Sequence, residues 1–198
     1  KWVLHEKNGK CHLADAVFLC GGAASTSFSQ SSQLPLTPVR GQISLLDADK
    51  MKTTPDNVLC AKGYLIPPVN IKGKMTMVTG ATFGRNDRGL DIRPQDHAEN
   101  LENAQKLWPD VEDNLITGGR VALRAYSPDH MPIAGPVPDH DAYRQTYEML
   151  KHGPKHRKFA TAPYHPDLYI MSGLGARGFL TAPLLADFLA SLITGAPL

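Results

Sequence analysis

One succession of residues constrains the fold more than any other: an apolar strand, a turn with three glycines, and an apolar helix. The strand covers residues 168–171 and the helix begins near residue 179. The turn between them reads Gly173-Leu174-Gly175-Ala176-Arg177-Gly178. Its glycine spacing matches the dinucleotide-binding fingerprint, which works inside a βαβ unit. The sequence shows no second strand after the helix, so the pattern predicts only a turn whose backbone can approach a flat or anionic group closely.

Charge and composition argue against a protein that binds polyanions through its overall charge and against one with an apolar membrane-spanning segment. The chain has 21 Lys and Arg against 19 Asp and Glu, a net charge of +2, so any contact with a polyanion must come from a local patch. No stretch approaches the ~20 apolar residues that span a bilayer.

Cys11, Cys20 and Cys60 lack metal or disulfide spacing, which favours buried free thiols and a cytoplasmic protein. The sequence opens without Met, inside an apparent strand, and we expect a piece of a longer protein.

The strand patterns predict a mixed α/β (α+β) chain with interleaved parts. The run 16–20 is apolar throughout, as in a parallel strand buried on both faces, and a hairpin turning at Asn8-Gly9 precedes it. Between residues 38 and 135, alternating strands predict an antiparallel sheet with a helix over 96–107, and a further helix is predicted over 142–151. We therefore divide the chain at 1–37, 38–135 and 136–198.

Several motifs occur in the order and spacing of one known family. They comprise residues 17–22, 38–42, 63–67, the run from Arg124 to Gly135, and 173–183. Together they resemble the D-amino-acid/glycine-oxidase family of flavoproteins across nearly the whole chain. The resemblance implies the C-terminal part of a FAD/NAD(P)-binding-type fold with an inserted antiparallel substrate domain. It departs at Ala122, where relatives usually carry Gly.

The resemblance implies FAD as the cofactor. The residues implied to contact FAD are Gly21, Gly22, Gly173, Leu174, Gly175, Ala176, Arg177, Gly178 and Phe179. Family members hold the FAD pyrophosphate with a strand-glycine-helix motif that would precede Lys1. We therefore expect this chain alone to bind FAD weakly or not at all, and to be inactive. From the residues themselves, both glycine segments could equally be turns without a ligand.

The resemblance also implies catalytic residues. Arg124 would bind a substrate carboxylate, for which a guanidinium offers two parallel donors, although a surface ion pair is the alternative. Tyr64 would face the substrate, or else pack in the sheet with a solvated hydroxyl. Arg177 would face the substrate, or balance the acidic side of the following helix. Asp129 is expected to be architectural, with its carboxylate accepting backbone N–H groups in a turn.

Within the family, the short motifs at residues 129–132, 138–139 and 174–178 most resemble those of a branch of bifunctional enzymes that modify tRNA. This resemblance implies an oxidoreductase that removes a carboxymethyl group from a wobble uridine, with tRNA as substrate and a fused methyltransferase in the parent. The basic run at 151–158 would then contact phosphates, or be a solvated loop. Its charged residues are Lys151, Lys155, Arg157 and Lys158. Two alternatives are an oxidase of glycine, sarcosine or D-amino acids and a non-catalytic RNA-contacting module. No metal site is expected.

Overall fold

The computed structural model describes residues 1–153 and 158–197. Its chain forms two compact units, the first from residues 1–37 and 124–198, the second from residues 38–123. The strands are β1 (Trp2–His5), β2 (Cys11–Ala14), β3 (Val17–Leu19), β4 (Thr37–Asp47), β5 (Leu59–Cys60), β6 (Tyr64–Ile71), β7 (Lys74–Gly80), β8 (Gly84–Arg85), β9 (Ile116–Tyr126), β10 (Ile133–Pro138) and β11 (Tyr164–Ser172). The helices are α1 (Pro94–Gln105), α2 (His140–Thr146) and α3 (Gly178–Thr194), with short 3-10 helices at Gly22–Ser27, Ser29–Ser31, Ala48–Lys50, Asp113–Leu115 and Glu148–His152.

The first unit is built on a three-stranded sheet in the order β10-β11-β3. β3 runs parallel to β11, with Val17 opposite Leu168, and β10 runs antiparallel to β11. Four buried side chains form its core: Leu34, Val137, Leu168 and Ile170. The predicted parallel strand is therefore confirmed.

The prediction that this strand is buried on both faces is wrong. β3 lies at the edge of its sheet, where Phe18 stacks on Tyr169 at a ring separation of 5.3 Å but stays 45% exposed. Cys20 follows at the end of the same edge strand and is exposed, as are Cys11 and Cys60. The three thiols are free, as expected, but the expectation of buried thiols is wrong, because an edge strand and a short hairpin leave them uncovered.

The second unit is a six-stranded sheet in the order β5-β6-β7-β4-β8, with β9 also pairing with β4. The pairings of β5 to β8 with their neighbours are antiparallel, as predicted. α1 begins at Pro94, a favoured first helical residue, and buries Leu101 and Ala104 against Leu46, Leu65 and Met77. This apolar face explains why the periodic segment is helical, since most helix stability comes from packing.

A buried arginine organises the loop that leads into α1. The guanidinium of Arg40 on β4 is ion-paired with Asp96 and donates to the carbonyl oxygens of Gly89 (2.9 Å) and Asp91 (2.5 Å). It also donates to Gln42, whose amide donates in turn to the Arg93 carbonyl at 2.9 Å. These bonds fix residues 89–93 against the sheet.

Some boundaries differ from those predicted. Residues 124–135 belong to the first unit rather than to the middle part, because β10 pairs with β11. The helix predicted over 142–151 is two shorter helices, and the first starts earlier because Asp139 caps it by accepting the Ala142 amide at 3.0 Å. In the β1–β2 turn only Gly9 is left-handed, since the longer loop closes through Glu6 and Lys10.

Among the described helices, none combines the length and the apolar character needed to cross a membrane.

Candidate functional site

Two glycine turns that are far apart in sequence lie side by side in the first unit. Gly21 and Gly22 follow β3, and Gly173 follows β11. The Ser172 hydroxyl donates to the Gly22 carbonyl oxygen at 3.0 Å, across 150 residues of sequence. Because β3 and β11 are parallel, both turns lie at the carboxyl ends of their strands, the edge where open α/β sheets bind ligands.

The backbone of the second turn has a shape that only glycine allows easily. Gly173 has φ +72° and Gly175 has φ +56°. The Gly175 amide donates to the Ala125 carbonyl at 3.0 Å, and a Cβ added at Gly175 would lie 2.9 Å from the Tyr126 ring. The turn is therefore held tightly against the end of β9.

The turn opens onto a cavity of about 320 Å³. Its lining residues are Tyr126, His130, Leu174, Gly175, Ala176 and Arg177. Arg177 also occupies the N-cap position of α3 and forms no side-chain cap hydrogen bond, and its carbonyl accepts from the amides of Leu180 and Thr181. The partial positive charge at the start of a 17-residue helix and the exposed guanidinium of Arg177 together favour an electron-rich or anionic group here.

Ser25 provides a separate test of whether a polar ligand fits this edge of the sheet. Its hydroxyl lies in the 3-10 helix that follows Gly21, is fully buried, and has no hydrogen-bond partner among the described residues. Buried hydroxyls normally have a partner, so this oxygen marks an unsatisfied polar position beside the Gly21 turn. The glycine turns and Ser25 thus fit a cofactor such as FAD. Sequence reasoning missed Ser25, since nothing local marks its burial.

The loop after β9 supports the cavity from the other side. Asp129 accepts the Met131 amide at 3.0 Å and the Ser127 hydroxyl at 3.0 Å, which confirms its architectural role. These two bonds hold the pKa of Asp129 below its usual value, and the bond from the Met131 amide has the larger effect. His130 adopts a left-handed backbone (φ +62°) and meets the Tyr126 ring edge-on at 5.5 Å. His130 and Tyr126 were not predicted as lining residues, because their contact depends on this turn.

Arg124 lies on the strand that supports the glycine turn. Arg124 is half-buried and has at least one interaction partner. It directly precedes Ala125, whose carbonyl oxygen accepts a hydrogen bond from the Gly175 amide. Strand alternation places its side chain on the same face of β9 as Tyr126, the residue that covers Gly175. The predicted Arg124 and Arg177 therefore both belong to the first unit.

Tyr64 belongs to the second unit, where it begins β6. It is half-buried, and its carbonyl accepts the Thr79 hydroxyl at 2.9 Å. Its predicted contact with substrate stays a prediction.

The basic run lies partly outside the described residues, which include neither Lys155 nor Arg157. Lys151 lies in the last turn of the 3-10 helix Glu148–His152 and forms an ion pair with Glu148 at 2.8 Å, and Lys158 is exposed. In the described part of the chain, no three His, Cys, Asp or Glu residues come together as a metal site.

Substitution of Gly175 tests the turn as a cofactor site. Gly175→Ala should lower FAD occupancy of the full-length protein at least about tenfold, since a Cβ must displace the Tyr126 ring and left-handed alanine costs ~1 kcal/mol or more. Absorbance of the purified protein measures bound flavin. Gly195→Ala is the matched control, because Gly195 is also left-handed (φ +69°) but has no atom within 4 Å of an added Cβ. Equal flavin content in both variants would contradict the assignment.

Comparison with protein families gives a match over residues 1–192 to the family described as "DAO: FAD dependent oxidoreductase". Among curated proteins, the chain is 37% identical over 202 residues to the tRNA 5-methylaminomethyl-2-thiouridine biosynthesis bifunctional protein MnmC of Shewanella amazonensis. It is 34% identical to the protein of the same name from Pseudomonas syringae. These alignments cover 98% and 100% of the chain but 30% of each relative, so the chain spans about a third of their length.

Solved structures show the same fold. Iminodiacetate oxidase from Chelativorans superposes with a TM-score of 0.69 at 22% identity, covering 98% of this chain and 46% of that one. Glycine oxidase from Geobacillus kaustophilus gives a TM-score of 0.65 at 19% identity, covering 99% and 45%. At these identities the superpositions establish the fold alone.

Proposed function

The chain belongs to the DAO family of FAD-dependent oxidoreductases, and from this premise we propose that it takes part in modifying the wobble uridine of tRNA. The proposed reaction removes the carboxymethyl group from 5-carboxymethylaminomethyl-(2-thio)uridine. The observation that carries the proposal is the pair of glycine turns at the carboxyl ends of β3 and β11, joined by Ser172. The tRNA substrate is supported by the names of the MnmC relatives, at 34–37% identity.

FAD supplies the redox chemistry when bound, by accepting a hydride from the carbon–nitrogen unit of an amine. The proposed contacts to FAD come from Gly21 and Gly22 after β3 and from the turn at 173–179. Phe179, at the start of α3, is fully exposed and so available for contact. The partial positive charge at this helix start would stabilise negative charge by about 0.3–1 kcal/mol.

The chain's own side chains would bind and orient the substrate. Arg124 would hold the carboxylate of the carboxymethyl group through two parallel N–H donors. Arg177, exposed at the same cavity, would contact the substrate or its flanking phosphate, and Tyr64 would contact the substrate from β6. Oxidation of the amine gives an imine, and its hydrolysis by water releases glyoxylate and leaves a primary amine on the uridine.

The names of the bifunctional MnmC relatives support the partners that we propose. The substrate is tRNA, the cellular location is the cytoplasm, and the parent protein carries a fused methyltransferase that acts on the resulting amine. Oxidation of free glycine, sarcosine or D-amino acids is the alternative within the same family, and a non-catalytic RNA-contacting module is the alternative outside it.

A turnover assay on the FAD-loaded full-length protein tests the proposal. With tRNA that carries carboxymethylaminomethyl-uridine, we expect the primary-amine nucleoside and glyoxylate in equal amounts, measured by mass spectrometry of the digested tRNA. Free glycine, sarcosine and D-alanine serve as competing substrates. Oxidation of these free amino acids without conversion of tRNA would replace the proposal by the amino-acid oxidase alternative.

A further inference from the structure

The hairpin formed by β6 and β7 ends in a tight turn that carries lysine in an unusual position. Ile71 pairs with Lys74, so the turn has two residues, Lys72 (φ 53°) and Gly73 (φ 86°). The Gly73 amide donates to the Asn70 side chain at 2.8 Å. Left-handed conformations at both positions are typical of a type I′ turn, for which Asn-Gly is the favoured sequence. Lysine at the first position is therefore not explained by the turn itself.

Both lysines of this hairpin tip, Lys72 and Lys74, are exposed. Residues 64–80 contain no Asp or Glu. In the part of the chain that the structure describes, six other lysines and arginines lie within ion-pairing distance of a carboxylate: Lys1, Arg40, Lys50, Arg93, Lys106 and Lys151. Among the described residues, no such carboxylate faces Lys72 or Lys74. The hairpin tip thus carries two positive charges, on either side of Gly73, without an ion-pair partner among the described residues.

The outer half of the hairpin also lacks cover from the rest of its unit. Val69 and Ile71 on β6 and Met75 on β7 are all more than a third exposed. Tyr64, the predicted substrate contact, stands at the opposite end of β6. At about 3.3 Å per residue, roughly 25 Å of strand separates it from Lys72.

We infer that the hairpin tip binds the phosphate backbone of the tRNA substrate through Lys72 and Lys74. This inference rests on the proposed function, since a nucleotide held near Tyr64 leaves the rest of an elongated polyanion to extend along the hairpin. The tip carries no aromatic side chain for base stacking, so the contact positions the RNA without reading its sequence. The charge complementarity is local, because the chain as a whole is nearly neutral.

A double substitution tests the inference without risk to the fold. Lys72→Asn with Lys74→Gln removes both charges while giving the turn its favoured Asn-Gly sequence. In the FAD-loaded full-length protein, the slope of log K against log salt for tRNA binding should fall by about 1.4–1.8. Because this contribution vanishes toward 1 M salt, affinity at 0.1 M salt should fall roughly 30-fold. Turnover of the isolated modified nucleoside should stay unchanged.

Two matched variants complete the experiment. Lys72→Arg with Lys74→Arg keeps both charges and should keep the slope. Lys50→Gln with Lys106→Gln removes the same formal charge from ion-paired lysines of the same unit and should also leave the slope unaltered.

The outcomes separate this inference from the proposed function. An unchanged slope in Lys72→Asn/Lys74→Gln overturns the inference, even where the wild type converts tRNA. An equal fall in the Lys50/Lys106 variant also overturns it, because the effect would then reflect total charge. Failure of the wild type to convert modified tRNA overturns the proposed function instead, while the binding slopes still decide the role of the hairpin.

Discussion

Arg40→Met should lower the free energy of unfolding by about 3–5 kcal/mol. This is the largest stability loss that we expect from replacing any single charged side chain of this protein. The Arg40 side chain is 2% exposed and its partner Asp96 is 18% exposed. Methionine fills similar volume but leaves the Asp96 carboxylate and the carbonyls of Gly89 and Asp91 without their donors. Buried groups left unpaired in this way cost more than the pair itself contributes.

Denaturant unfolding and hydrogen exchange would measure this effect. Trp108 packs against the core of the second unit and reports its unfolding by fluorescence, and amide exchange should rise first in residues 89–93. Lys106→Met is the matched control, because Lys106 forms an ion pair with Glu102 on the exposed surface of α1 and should cost at most about 0.5 kcal/mol. A loss below about 1 kcal/mol for Arg40→Met would show that the Arg40 network does not hold the loop.

Local sequence patterns predicted the elements of the fold well where the pattern itself determines the structure. The continuous apolar run at β3 indicated a parallel strand, and the spacing of Leu101 and Ala104 indicated α1. Exposure was harder to predict, since it depends on what the rest of the sheet covers. Cys20 looked buried in the sequence but lies beyond an edge strand.

The candidate site was predictable only in its separate parts. The glycines of both turns were found from spacing and resemblance. The hydrogen bond that joins the two turns, from the Ser172 hydroxyl to the Gly22 carbonyl, connects residues 150 positions apart and could not be predicted from either motif. The unpaired Ser25 hydroxyl and the Tyr126 ring over Gly175 arise from tertiary packing, which no short motif records. The burial of Arg40 is likewise invisible in the sequence, because an arginine in a strand is normally expected to be exposed.

Arg124→Lys in the full-length protein should lower kcat/KM for the carboxymethyl substrate by about 30- to 1000-fold, or roughly 2–4 kcal/mol of transition-state binding. Lysine keeps the charge but loses the two parallel donors that match a carboxylate. Flavin content should not change, because the contact between this strand and the glycine turn runs through the backbone carbonyl of Ala125, which the substitution leaves in place.

Steady-state kinetics and the flavin spectrum of the same preparation would separate substrate binding from cofactor binding. Arg120→Lys is the matched control, since Arg120 lies on the same strand β9, is exposed, and should alter kcat/KM less than twofold. A parallel loss of flavin in Arg124→Lys would assign Arg124 to the support of the turn. A kcat/KM within twofold of wild type would assign it to a surface ion pair, and the carboxylate would then need another cation at the cavity, for which Arg177 is placed.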